Sequence, residues 1–316
     1  MKRKLNIKKI VLAVVLVLVI ISLIIGMVKF IGYLNSDFYK LKKVGYNEKE
    51  IGIILKYAND TELVKIKTDK YNKYLKIFIS QKYFIYNKLD RYIKLYQKDG
   101  TVKQKKIVSL VNVSADQSFY ENPKKSNTSL KELMLVNKFN YLDSTYKPEN
   151  IVPIAVQYSY DDNQTLDYVY EKYKEMWQAA SAENLKLIVS SSYRDYDYQE
   201  ELYNNYKNQK GTEWADGIAA RAGYSEHQTG YALDIVNINS TMNDFEDSKE
   251  FKWLTKNAYK YGFILRYPYD KEDITGYNYE SWHYRYVGKE VAKYIYQNNI
   301  TFDEYYAYFI INKQDK

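Results

Sequence analysis

Residues 10–28 form an apolar run broken only by Ser22 and Gly26. Nineteen helical residues, rising about 1.5 Å each, span about 28 Å, close to the hydrocarbon thickness of a bilayer. Lys2, Arg3, Lys4, Lys8 and Lys9 precede the run with no acidic residue among them. The positive-inside rule then puts the N-terminus in the cytoplasm and the remainder outside. A cleaved secretory signal is the competing reading. The run is longer than a usual signal core, and Lys29-Phe30-Ile31-Gly32-Tyr33 makes a poor small-residue cleavage site. The expectation is a single-pass membrane anchor over residues 10–31, after a basic cytoplasmic tail at 1–9.

A length of 316 residues leaves room beyond the anchor for one good-sized domain and a smaller one. The net charge of +8 divides unevenly, residues 1–150 carrying +16 and residues 151–316 carrying −8. Such asymmetry suggests two modules with different neighbours. The basic half suits anionic lipids or anionic wall polymers, or is simply a set of lysine-rich solvated helices; both readings stay open. Nucleic acid is not expected as a partner, because the anchor removes the chain from the cytoplasm. There is no cysteine, so disulfides, thiolate metal sites and cysteine nucleophiles are excluded, and a metal must bind through His, Asp, Glu or backbone oxygen. The 38 tyrosines look like a composition bias and single out no site.

Residues 35–113 read as short amphipathic helices. Ile51, Ile54, Leu55 and Ala58 recur at helical spacing, as do Tyr71, Tyr74, Leu75 and Phe78. Asn47 with Glu50 resembles a capping box, and Gly100 marks a turn before another helix. This basic stretch carries no chemistry and is expected to be a spacer. Residues 114–130 read as the loop between modules. Beyond them, Leu166, Val169, Tyr170, Tyr173, Met176, Trp177 and Ala180 form one helical stripe. Residues 185–189, 232–238 and 263–267 are strand candidates, and residues 248–261 form a helix stopped by Gly262. Short strands between helices of unequal length point to an α+β domain over residues 131–316.

Reactive residues gather in three segments: residues 190–199 with Arg194 and Gln199, residues 223–234 with Ser225, Glu226, His227 and Asp234, and residues 280–285 with Glu280 and His283. His227 and His283 are the only histidines. Asp234 lies inside an apolar strand, where a buried carboxylate needs a cation or strong donor. Two imidazoles, one carboxylate and an open fourth position make a catalytic zinc site. Glu280 is placed to act as base on a bound water rather than as a ligand. Residues three apart on a strand face opposite sides, so Glu280 must sit in a turn leading into the strand, which Gly276, Thr275 and Asn278 allow. Arg194, just after a strand, suits a free carboxylate through its planar fork; the alternative is an ion pair with Asp195 or Asp197. Glu226 either steadies the site or faces solvent, and Trp282 is expected to be a core residue.

The string Ser225-Glu226-His227-Gln228-Thr229-Gly230-Tyr231-Ala232-Leu233-Asp234-Ile235 resembles the zinc motif of VanY-type D-alanyl-D-alanine carboxypeptidases and their LdcB-type L,D-carboxypeptidase relatives. Tyr261-Gly262-Phe263-Ile264-Leu265-Arg266-Tyr267 and Trp282-His283-Tyr284-Arg285-Tyr286-Val287-Gly288 match in the same order, and the resemblance covers roughly residues 135–310. It implies His227, Asp234 and His283 as zinc ligands, Glu280 as base and Arg194 as a substrate-binding residue. It implies that Gln199 and Ser225 help hold the substrate's C-terminal end. It also implies an antiparallel sheet with flanking helices, shared with hedgehog-type and DD-peptidase-like domains. Ser281 departs from the pattern, which usually has proline there. The activity implied is removal of the terminal D-alanine from peptidoglycan stem peptides, D,D- or L,D-specific, outside the membrane. A wall endopeptidase, or a wall-binding module on a dead peptidase fold, are the rival readings.

Overall fold

The computed structural model describes residues 7–313. Most of the tail expected at 1–9 therefore lies outside the described residues. The chain divides into two compact units, Met1–Val108 and Ser109–Lys316.

In the first unit the apolar run forms α1 (Ile7–Asn35), a 29-residue helix with no buried residue and a mean hydropathy of 3.4 over its most apolar window. Short helices follow at Asp37–Val44, Glu48–Tyr57, Asp60–Ile66 and Leu89–Lys98. Asn47 and Glu50 form the capping box read from the sequence, each side chain bonded to the other's backbone N–H. Ile51, Ile54, Ile66, Leu75 and Phe78 are buried. The periodicity at 71–78 yields only one helical turn, Leu75–Phe78. The residues ahead of that turn bond through side chains instead, Asn72 Oδ1 accepting the Tyr74 N–H at 2.9 Å.

The second unit is built on four antiparallel strands. These are β1 (Leu187–Ser191), β2 (Ala232–Asn237), β3 (Phe263–Leu265) and β4 (His283–Tyr286), in the order β1-β2-β4-β3. The helical stripe becomes α2 (Asp167–Ala182), which buries Val169, Tyr173, Met176 and Ala180 in one cluster with Leu187, Val189, Leu233, Ile235 and Tyr284. Alternation along a strand turns the residues between these to the opposite face. Asp234 pairs directly with His283, Leu233 with Tyr284, and Ala232 with Arg285. The register therefore sets a carboxylate beside an imidazole on one face and apolar side chains on the other.

Residues 114–130, expected as the loop between modules, are tied down within the second unit. Residues 124–125 pair with 140–141, Ser126 Oγ donates to the Leu135 carbonyl at 2.8 Å, and Phe119 stacks against Phe139. The polar, turn-rich composition hid this, because the aromatic rings and two short strands do the anchoring.

Candidate active site

His227 sits in a single 3₁₀ turn, Glu226–Thr229, just ahead of β2. Ser225 Oγ accepts the His227 N–H at 3.3 Å, and Gly230 ends the turn at φ 75°. A Cβ at Gly230 would stand 2.8 Å from Ile151 Cδ1, so both conformation and space favour glycine. His227 Nδ1 lies 2.6 Å from the Ser192 carbonyl oxygen, which can only accept. That bond fixes the proton on Nδ1 and leaves the Nε2 lone pair free.

Nε2 of His227 lies 3.4 Å from Asp234 Oδ2, and Nδ1 of His283 lies 3.2 Å from Asp234 Oδ1. One donor atom from each residue falls within 4.8 Å of the others, and all three residues are buried. Asp234 Oδ1 is buried with no hydrogen-bond partner among the described residues. A zinc ion with bonds of about 2.0 Å in tetrahedral geometry separates its ligands by about 3.3 Å. The spacing, the two-nitrogen, one-oxygen donor set and the unsatisfied carboxylate oxygen all fit such an ion.

Glu280 reaches the same point from an irregular segment. Gly276, at φ 78°, ends the single turn Glu272–Thr275, and the Glu280 N–H donates to the Tyr267 carbonyl at 3.1 Å before β4 begins. The carboxylate thereby stands 3.4 Å from His283 Nδ1, despite the three-residue spacing. Arg194 follows β1, and no ion pair joins it to Asp195 or Asp197 among the described residues. Asp195 instead accepts the Tyr198 N–H at the start of α3 (Tyr196–Lys210). Arg194 Nε is buried without a partner. Gln199 donates through Nε2 to the Ala220 carbonyl at 2.8 Å, leaving Oε1 unpartnered. Arg194, Gln199, Ser225 and Glu280 line one cavity with His227, Asp234 and His283.

The charges set one another's protonation. Burial pushes the Glu280 carboxyl up to about 7, although His283 opposes the rise. Burial, reinforced by Arg194, lowers the His227 ring to about 4. Burial acts the same way on His283, but Asp234 and Glu226 outweigh it and hold that ring up at about 9. Burial works against the ionised form of Asp234, yet the two histidines keep its carboxyl well below the usual carboxylate range.

Glu226 does not face solvent. Its Oε1 accepts from Arg266 Nε at 2.8 Å and lies 3.1 Å from Arg285 Nη1, while its Oε2 faces His283 Nε2 at 3.7 Å. Sequence reasoning passed over Arg266, Arg285 and Asp303 as site residues. An arginine in each of two apolar strand segments was the available signal for the first two; Asp303, in a C-terminal helical turn, gave none.

Fold and site define a class: an α+β domain holding a His-Asp-His donor set with a buried glutamate beside it. A family model described as D-alanyl-D-alanine carboxypeptidase, VanY, matches residues 163–289. The chain is 43% identical over 184 residues to the putative carboxypeptidase YodJ of Bacillus subtilis (strain 168), covering 55% of this chain and 66% of that protein. It is 31% identical over 185 residues to the bifunctional D-Ala-D-Ala dipeptidase and D-Ala-D-Ala carboxypeptidase VanXYC of Enterococcus gallinarum, covering 57% of this chain and 95% of that one. The solved structure of the LdcB LD-carboxypeptidase is 37% identical and superposes with a TM-score of 0.56, covering 62% of this chain and 92% of that chain. The chain belongs to the VanY family of D-alanyl-D-alanine carboxypeptidases. It spans 43 to 66% of the length of three curated relatives.

Proposed function

We propose that this protein is a zinc-dependent carboxypeptidase that removes the terminal D-alanine from peptidoglycan stem peptides. The observation that carries the reading is the convergence of His227, Asp234 and His283 donor atoms within 4.8 Å, in a cavity that Glu280 and Arg194 also line. His227 Nε2, Asp234 and His283 Nδ1 hold the metal. A bound zinc supplies Lewis acidity, polarising a carbonyl and acidifying a water. Glu280 takes the proton of the attacking water and hands it to the leaving amine; a pKa near 7 suits a group that must both accept and release it. Arg194, whose Nε has no hydrogen-bond partner among the described residues, anchors the free carboxylate, and Gln199 and Ser225 border the substrate's terminal end. The seven side chains share one concave site, which favours an enzyme over a wall-binding relic of one.

The length and apolarity of α1, and its lack of buried residues, support an anchor in the cell membrane, with the second unit outside. Residues 35–113 then serve as a basic spacer toward the wall, where anionic polymers or lipid headgroups are the matching surfaces. The test uses the full chain in detergent micelles with defined pentapeptide and tetrapeptide stems. Product masses lower by one alanine residue are expected, and the stem consumed distinguishes D,D- from L,D-specificity. Fragments cut inside the stem would replace this reading with an endopeptidase, and intact stems in the presence of bound zinc would overturn it.

A further inference from the structure

Four ionised side chains outside the donor set are almost wholly enclosed. Arg266 and Arg285 are 0% exposed, and Glu226 and Asp303 1%. They form a chain that stops one contact short of the donor set, because Glu226 Oε2 and His283 Nε2 face each other without a hydrogen bond. Asp303 Oδ2 accepts from Arg266 Nη1 at 2.6 Å and its Oδ1 from Asn137 Nδ2 at 2.8 Å. Arg266 Nε reaches the other way, to Glu226 Oε1 at 2.8 Å, and Glu226 Oε2 faces His283 Nε2 at 3.7 Å. Arg285 Nη1 lies 3.1 Å from Glu226 Oε1 and its Nη2 donates to the Met134 carbonyl at 2.9 Å. The far nitrogen of the same imidazole, Nδ1, is the one turned to Asp234.

Such a network is a poor device for stability alone. Taking two charge pairs out of water costs about what their attraction returns, and apolar replacements of similar volume are often as stable or more so. Its geometry serves the ring instead. An imidazole that offers the Nδ1 lone pair must carry its proton on Nε2, and the atom facing Nε2 is a carboxylate oxygen that can only accept. Arg266 clamps Glu226 from behind and is itself braced by Asp303, so three side chains from separate segments set one ring.

We propose that Asp303 and Arg266, acting through Glu226, are positioning residues that hold His283 with its Nδ1 lone pair directed at the metal. The C-terminal helical turn Phe302–Tyr305 thereby contributes to metal affinity without touching the site. This rests on the reading of His283 as a metal ligand, and the experiment separates the two.

Zinc dissociation constants of the full chain in detergent micelles are measured by chelator competition, alongside thermal unfolding of the metal-free forms. Glu226→Gln is the decisive variant. Its amide oxygen can still take the Arg266 bond, but the amide nitrogen then faces His283 Nε2 and donates, driving the ring proton to Nδ1. Zinc affinity should fall about 10- to 100-fold, the scale of lost outer partners of metal-bound histidines. Asp303→Asn, which keeps the shape and slackens the brace, should weaken zinc less than Glu226→Gln and more than twofold. If Glu226→Gln cannot be recovered folded, Asp303→Asn decides alone. Zinc affinity within twofold of the parent in the recovered variants, with only the unfolding temperature lowered, would reduce the chain to structural glue and overturn the proposal. His283→Ala is the control: if it loses zinc while both positioning variants keep it, the positioning role fails and the ligand reading stands. If it keeps parental affinity, the ligand reading fails and takes the proposal with it.

Discussion

Leu233 and Asp234 are chain neighbours on β2, as His283 and Tyr284 are on β4, yet each pair divides between two environments. Leu233 and Tyr284 meet in the apolar cluster under α2; Asp234 and His283 meet beside a cavity that Glu226, His227 and Glu280 also line. One register produces both faces. A slip by one residue would send carboxylate and imidazole into the core and leucine and tyrosine to the cavity. The difference teaches that strand pairing here is itself the device that assembles the site, and that the two faces should fail in different ways.

The sharpest way to separate them is to damage the core face alone. Leu233→Ala removes a fully buried side chain and should cost about 2–5 kcal/mol of stability. Chemical denaturation of the metal-free chain measures this, while zinc affinity of the folded fraction should stay near parental. A variant that kept its stability but lost zinc would break the division of labour between faces. Next in size is the site face. Glu280→Gln keeps shape and removes the proton acceptor, so turnover should drop about a hundredfold or more with zinc retained. Bound zinc and rate on one preparation decide it; lost metal or near-parental turnover would dismiss Glu280 as the base.

The most gradual effect concerns pH, at about tenfold per unit. The flanking carboxylates hold the His283 ring up at about 9, so below that value a metal must displace its proton. Asp234 is held below the usual carboxylate range and His227 near 4, so neither competes for protons at neutrality. Apparent zinc affinity should therefore fall as pH falls, by about tenfold per unit between pH 8.5 and 6. Chelator titrations at four pH values check this. A flat profile would show that His283 gives up no proton on binding.

Much of the site could be read from spacing and residue type. With two histidines and no cysteine, few donor sets were available, and Asp234 stood out as a carboxylate in an apolar strand. The strand-to-turn path of Glu280 followed from period-two geometry, and the structure supplies it through Gly276 and the Tyr267 carbonyl. The helical stripe at 166–180, the strands near 187, 232 and 263 and the helix from 249 were legible from apolar periodicity, whereas the helices Tyr196–Lys210 and Lys289–Asn298 were not read. Over residues 114–130, polar turn-formers gave no hint of the ring packing of Phe119 or the pairing of 124–125. Asp303 was invisible for another reason. Its partner Arg266 is 37 residues away, and no local pattern encodes a contact over that distance.

The two imidazoles differ in what holds their outer nitrogen. His227 is tied to the backbone carbonyl of Ser192, next to the register shift between Val189 and Ser191, whereas His283 looks to the side chain of Glu226. A carbonyl belongs to every residue type, so substitution at position 192 leaves that acceptor in place as long as the bulge survives. A carboxylate belongs to two. Random replacement can therefore disorient His283 at a position remote from the reacting atoms, while His227 is shielded from the same drift. Among copies of this domain that lose function under relaxed selection, damage should enter by way of position 226 more often than position 192.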